Sequence, residues 1–302
     1  MDYGVDYGCN TGIGHQLALR LNELGFRVYA TVLDANSAGA LELTNKCKRP
    51  ANMCVMGMDV TDAQQIAGAY ERVATDLEAN GCQLWALVNN AALITYGHIE
   101  WGNIEEYSKV IDVNIVGTLR VTRAFLPLIR VSRGRVVIMT SASGQLSMDN
   151  FGVYGSSKAA LISLTHTLRR EMGRFGVGVS AVEPLNFRTN MVELSDHMLA
   201  DTWANTENPV RQAYGDRYYE AQRVFVRRLN KVMMSGTDLS PVVSDIVRAL
   251  TDWRPKRTYR PAPNLLYRLC APFMPLTSQY AMDVMIGAVN TTRPDFVLKQ
   301  LI

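Results

Sequence analysis

Tyr154 and Lys158 stand four residues apart, and Ser141 precedes the tyrosine by thirteen. On a helix, a spacing of four puts the phenol and the ammonium on one face. A free phenol titrates near pH ~10 and is a poor base at neutral pH. A fixed cation beside it favours the phenolate, which suits a tyrosine that exchanges a proton with a substrate hydroxyl. The surrounding stretch, 136–168, reads as a buried strand ending at Thr140-Ser141, a polar loop, and a helix that carries Tyr154 and Lys158. A strand end there would bring the Ser141 hydroxyl beside the phenol. Tyr-x-x-x-Lys alone is equally compatible with an amphipathic helix bearing a surface lysine, so the rest of the chain must decide.

A second chemical signal lies near the N-terminus, in Gly8-Cys9-Asn10-Thr11-Gly12-Ile13-Gly14 followed by the helical periodicity of Leu17, Leu21 and Leu24 and closed by Gly25. Glycines at the start of a helix let backbone N–H groups approach a pyrophosphate at its positive end. A strand, Phe26 to Leu33, follows. Asp34 stands just after it, with no basic residue from Tyr29 to Lys46. A carboxylate can accept from a free ribose diol, whereas a 2′-phosphate wants Arg or Lys, so the pattern favours NAD over NADP. Asp34 is also compatible with a solvated turn. Upstream, MDYGVDY has little apolar β-forming length. The expectation is an unusually poor first strand, or a chain shortened or spliced at its start.

The elements that would position these groups alternate. Met53 to Met58 reads as a strand ending in Asp59-Val60-Thr61-Asp62, with Thr61 or Asp62 capping a helix through Asn80. Leu84 to Val88 is a strand followed by Asn89-Asn90-Ala91-Ala92, where small residues allow close backbone approach. Ile104 to Ile129 reads as helix and contains Asn114, a polar amide that must be hydrogen-bonded if buried. Strands Arg135 to Thr140 and Val177 to Val182 flank the Tyr154 helix, and the latter runs into Glu183-Pro184 and on to Thr189. Six strand-like segments alternating with helices predict an α/β, Rossmann-type, doubly wound parallel sheet. Ligands bind beyond the carboxyl ends of such strands, and the glycines, Asp34, Asp59, Asn89, Ser141 and Thr189 all fall at such ends.

Beyond residue 190 the alternation lapses into helices, Asp216 to Met234 and Pro241 to Trp253 capped by Ser240, and then a Pro-rich aromatic stretch, Arg254 to Pro275. We read residues 1–302 as a single domain, with 1–190 the dinucleotide-binding and catalytic core and 191–302 a substrate-covering extension. The extension is suited to a pocket lid and to peripheral membrane contact.

Composition excludes several classes. A net charge of +3, scattered among acids, does not mark a nucleic-acid binder. Five cysteines in irregular spacing, with four unclustered histidines, give no zinc pattern and no expected metal, and suit reduced intracellular thiols. No apolar run reaches the ~18–20 residues of a membrane span.

Taken together, Gly8-x-x-x-Gly12-x-Gly14, Asp59-Val60, Asn89-Asn90-Ala91, Asn114, Ser141, Tyr154-x-x-x-Lys158 and Pro184…Thr189 resemble the short-chain dehydrogenase/reductase family over nearly the whole length. The branch most similar holds 17β-hydroxysteroid, retinol and 3-hydroxybutyrate dehydrogenases. The resemblance implies Tyr154 as catalytic acid/base, Lys158 lowering its pKa and holding the nicotinamide ribose, Ser141 bonding the reacting oxygen, and Asn114 supporting a water. It also implies Gly8, Gly12, Ile13 and Gly14 around the pyrophosphate, Asp59 and Val60 flanking adenine, Asn89 and Ala91 at the ribose, and Pro184 with Thr189 at the nicotinamide. Tyr7, Ala92 and Leu185 depart from the family pattern.

The expected function is NAD-dependent interconversion of an alcohol and a ketone or aldehyde on an apolar substrate, a steroid or retinoid. A small hydroxy acid such as 3-hydroxybutyrate is the second reading and a non-catalytic nucleotide-binding protein the third. By resemblance, a homodimer or homotetramer is expected, in the cytoplasm or at the endoplasmic reticulum membrane.

Overall fold

In the computed structural model, residues 3–185, 187, 195–233, 236–271, 273, 280 and 283–284 are described. Among the described residues seven parallel strands form one sheet: β1 (Tyr3–Tyr7), β2 (Arg27–Val32), β3 (Met53–Gly57), β4 (Leu84–Asn89), β5 (Arg135–Met139), β6 (Gly178–Val182) and β7 (Thr258–Tyr259), in the order β3-β2-β1-β4-β5-β6-β7. The order reverses direction between β1 and β4, the place where such sheets open a crevice for a ligand.

The first strand is present in spite of its sequence. Tyr3–Tyr7 pairs with β2 from Tyr3↔Arg27 to Tyr7↔Thr31, and with β4 from Gly4↔Ala86 to Tyr7↔Asn89. Both neighbours offer complete ladders, and backbone pairing needs no particular side chain. β7, two residues long, was not expected from the sequence. It extends the sheet beyond β6 from within the Pro-rich stretch.

Side chains along the strands alternate between two cores. Leu84 and Leu87, Val136 and Ile138 pack on one face with the helices α3 (Ala63–Ala79), α5 (Thr118–Ser132) and α6 (Gly152–Gly173). Ala86 and Val88, Val137 and Met139 pack on the other with α1 (Gly12–Glu23), α2 (Ala38–Lys46) and α10 (Ser240–Thr251). The result is a single Rossmann-type α/β domain, as the alternation predicts.

Two local details differ from expectation, and of the two caps expected for α3 it is Asp62 that serves. The helix expected over 104–129 is α4 (Ile104–Ile111), a π-helical turn (Asp112–Gly117), and α5. Asp62 is the cap of α3, its Oδ1 accepting from the Gln64 and Gln65 amides at 2.8 and 3.1 Å. Ser240 is the first residue of α10 rather than its cap, and Asp238 accepts from its amide at 2.8 Å. Between β6 and α10 come α7 (Ser195–Ala204), α8 (Asn208–Tyr214) and α9 (Asp216–Met233), joined to the loop after β4 through Trp101, Trp203, Tyr218 and Tyr219.

Candidate active site

At the carboxyl ends of β1, β2, β4, β5 and β6 lies a cavity of about 710 Å³. Its wall includes Gly8, Gly12, Ile13, Asp59, Val60, Ala91, Ser141, Tyr154, Lys158 and Pro184, ten of the residues expected to form the site.

One wall is backbone. Gly8 has φ +87° and Gly12 φ +68°, a region that disfavours side chains. Gly14 does not line the cavity; a Cβ there would lie 2.5 Å from the Gly8 carbonyl oxygen and 2.6 Å from Asn90 Nδ2, so its smallness packs α1 against the turn. The N-cap of α1, Thr11, makes no side-chain capping bond, and the first turn carries no acid. The free N–H groups at the start of α1 therefore open on the cavity, which fits an anionic pyrophosphate. Asp59 holds the β3 end in place, its Oδ1 accepting from the Thr61 amide and hydroxyl, each at 2.8 Å. Gly117 in the π turn sits against Val60, where a Cβ would meet Cγ2 at 2.7 Å.

The opposite wall is side chain. Ser141 stands two residues after β5 and caps a 3-10 turn (Ala142–Gly144), accepting from the Ser143 amide at 3.1 Å. Tyr154 and Lys158 sit in the first two turns of α6, as their spacing predicts. Lys158 is 2% exposed; its Nζ donates to the Met139 carbonyl at 2.9 Å and lies 5.7 Å from the Tyr154 ring centroid. Burial depresses the Lys158 ammonium to about 8. Burial raises the Tyr154 phenol above its ordinary value, and hydrogen bonding with Ser141 opposes that shift. The ammonium is turned to a carbonyl and over the ring, and desolvation dominates both groups.

Asn114 lies in the π turn, fully buried and off the cavity wall. Its Oδ1 accepts from the Leu93 amide at 2.7 Å; its Nδ2 donates to the Leu93 carbonyl at 2.9 Å and to Ser157 Oγ at 2.9 Å. Ser157 in turn donates to the Tyr154 carbonyl at 2.7 Å. Asn114 thus ties the loop after β4 to the helix that carries Tyr154. The π turn aims this side chain inward, a device often seen at functional sites.

Besides Gly14 and Asn114, two further expected residues lie off the cavity wall. Asp34 is exposed, its Oδ1 accepting from the Asn36 amide at 2.8 Å in a local turn, while Val32 and Leu33 line the cavity instead. Asn89 turns away, donating to Thr122 Oγ1 on α5 at 3.1 Å. Its neighbour Asn90, on the cavity, donates to the Gly8 carbonyl at 3.1 Å. Thr189 and Arg188 lie outside the described residues.

Sequence reasoning missed most of the apolar side of the cavity, lined by Ile94, Tyr96, Met148, Phe151 and Leu229 together with Leu185, which the sequence marks only as a departure from the family pattern. Leu185 packs with Ala142, Ala262 and Ala271. The backbone beside it is held by Leu185 N to the Pro261 carbonyl at 3.0 Å. The adjacent Glu183 carboxylate, its side chain 1% exposed, accepts from Arg260 Nε at 2.8 Å.

The sheet order and this cavity define a dinucleotide-type α/β oxidoreductase fold. The short chain dehydrogenase family model matches residues 7–200, and the chain belongs to that family, oxidoreductases that act on CH–OH groups with a nicotinamide cofactor. Among similar proteins, 17-beta-hydroxysteroid dehydrogenase type 2 of Homo sapiens is 36% identical over 276 residues, covering 89% of this chain and 69% of that protein. The mitochondrial D-beta-hydroxybutyrate dehydrogenase of Bos taurus is 36% identical over 262 residues, 84% of this chain and 75% of that one. A short-chain dehydrogenase structure from Streptomyces avermitilis superposes with TM-score 0.70 at 24% identity, covering 95% of this chain and 97% of that chain.

Proposed function

We propose that the protein interconverts a secondary or primary alcohol and its ketone or aldehyde on an apolar substrate of the steroid or retinoid kind, with NAD preferred. One observation carries this reading: the glycine turn and the Ser141–Tyr154–Lys158 set face one cavity, one side of which is apolar, lined by Ile94, Tyr96, Met148, Phe151, Leu185 and Leu229. A bound nicotinamide would supply the hydride acceptor or donor. Ser141 hydrogen-bonds the reacting oxygen, and Tyr154 exchanges a proton with it, as an acid in reduction and as phenolate in oxidation. Lys158 positions the phenol, and Asn114 positions the helix that carries both. Holding cofactor and alcohol in register supplies much of the rate.

NAD is favoured because the cavity wall at the end of β2 is Thr31, Val32 and Leu33, and among the described lining residues the only cations are Lys109 and Lys158. The same scarcity weighs against a small hydroxy acid, whose carboxylate would want a cation near Tyr154 other than the lysine already engaged. Among the described residues Cys47, Cys54 and Cys82 are free thiols, which supports a place in the cytoplasm or at the endoplasmic reticulum surface.

The test is steady-state absorbance of the reduced nicotinamide with steroids, retinols and 3-hydroxybutyrate, each with NAD and NADP. The reading predicts turnover of an apolar alcohol, with higher kcat/KM for NAD. Turnover confined to 3-hydroxybutyrate would overturn the substrate class, and failure to bind either cofactor would overturn the activity.

A further inference from the structure

Tyr96 lies in the loop between β4 and α4, 2% exposed. Its ring meets Phe151 edge-on, centroids 5.1 Å apart at 66°. Phe151 is the residue from which α6 starts, so Tyr96 packs directly on the base of the catalytic helix. The loop is pinned at the next residue, where the Gly97 amide donates to the Asn150 carbonyl at 3.1 Å. Ring and backbone are therefore both fixed.

The hydroxyl is another matter. Several buried side-chain polar atoms have no hydrogen-bond partner among the described residues, and Tyr96 Oη is the one that belongs to a residue of the catalytic cavity's lining. A buried hydroxyl left unpaired is penalised, and a phenylalanine would fill the same space against Phe151 without that penalty. An occupant of the cavity that brings an acceptor removes it. Burial raises the Tyr96 phenol well above its ordinary value, and the nearby Tyr154 phenol adds to the shift. Tyr96 is thus a proton-bearing donor throughout the neutral range.

The acceptor is not the reacting oxygen. Ser141 and Tyr154 already address that atom, and a carbonyl oxygen has two lone pairs. We propose that Tyr96 is a specificity-determining residue, whose hydroxyl donates a hydrogen bond to a second oxygen on an otherwise apolar substrate. This rests on the dehydrogenase reading of the cavity and narrows its substrate class: an apolar alcohol or ketone with a further hydroxyl or carbonyl, rather than one with a single oxygen. A site built around a fixed donor discriminates strongly against an analogue that lacks the matching acceptor.

The experiment compares wild type with Tyr96→Phe. Calorimetry measures binding of a steroid monoketone and of its derivatives bearing one added hydroxyl at successive positions along the skeleton, both proteins carrying saturating reduced nicotinamide. We expect at least one derivative to bind wild type about tenfold or more tightly than the parent does, and the gain to vanish in Tyr96→Phe. The Tm of Tyr96→Phe should equal or exceed that of wild type, because no hydrogen bond of the hydroxyl among the described residues is lost. Four results would overturn the proposal: no binding of any of these steroids, no gain for any derivative, a gain that survives in Tyr96→Phe, or a lowered Tm. Turnover of the corresponding alcohols in the same preparations separates the two readings. Discrimination without turnover sinks the dehydrogenase reading and leaves Tyr96 standing; turnover without discrimination does the reverse.

Discussion

The two walls of the cavity are built from different materials. The wall under β1 and α1 is main chain: positive-φ glycines, free amides at a helix start, and Ala91 against Gly8, where a Cβ would lie 3.1 Å from the Ala91 backbone. The wall formed by β5 and α6 is side chain, with an ammonium and a phenol desolvated among apolar neighbours. Main chain suits a task of shape and partial charge, since amides do not titrate. Side chains suit proton exchange, because burial can move their pKa values. The first wall should therefore respond to substitutions that add bulk, and the second to those that change titration.

The largest stability effect is expected on the titrating wall. Lys158 is held at about 8 when folded, below its ordinary 10.5. The unfolded chain then binds more protons between these values, so stability rises with pH across that window and the penalty of the buried charge is full below it. Replacing Lys158 by Met removes this term. The stability of Lys158→Met relative to wild type should be greater at pH 7 than at pH 10 by on the order of 2–3 kcal/mol, read from urea melts. Tyr154, raised in the fold, acts in the opposite direction only as pH climbs past 10. An identical pH slope in both proteins would show that Lys158 is not desolvated.

Next comes the main-chain wall. In Gly14→Ala the new Cβ would meet backbone at 2.5 Å, which should cost roughly 1–3 kcal/mol of stability. Cofactor affinity should fall about tenfold or more as the turn shifts, measured by titrating reduced-nicotinamide fluorescence. Unchanged affinity would mean that α1 does not hold the pyrophosphate.

The smallest effect separates two adjacent asparagines. Asn89→Ala should lose about 1 kcal/mol with the Thr122 bond and leave cofactor affinity unaltered. A marked loss of affinity would put Asn89 back at the ribose.

That last pair explains what could be read from the sequence. Successive strand residues point to opposite faces, so an uncertainty of one residue at the end of β4 exchanges Asn89 for Asn90. Asp34 failed for a related reason: a turn after β2 allows its carboxylate to bond locally, and no pattern tells a turn aspartate from a ligand-facing one. β1 reads as a poor strand because side-chain hydrophobicity is the only signal in the sequence, whereas two flanking ladders are what hold it in place. The π turn was invisible because one extra residue barely alters helical periodicity. Ser141, Tyr154 and Lys158 were legible because each requires a specific side chain, and helix spacing fixes the last two relative to each other. Tyr96 carries no motif; only its unpartnered burial marks it.

The division of labour between the walls is tested most directly by Tyr154→Phe, assayed for both cofactor binding and turnover. We predict that reduced-nicotinamide affinity stays within about twofold while kcat falls by about 10²–10⁴. Near-normal turnover in Tyr154→Phe would contradict the account.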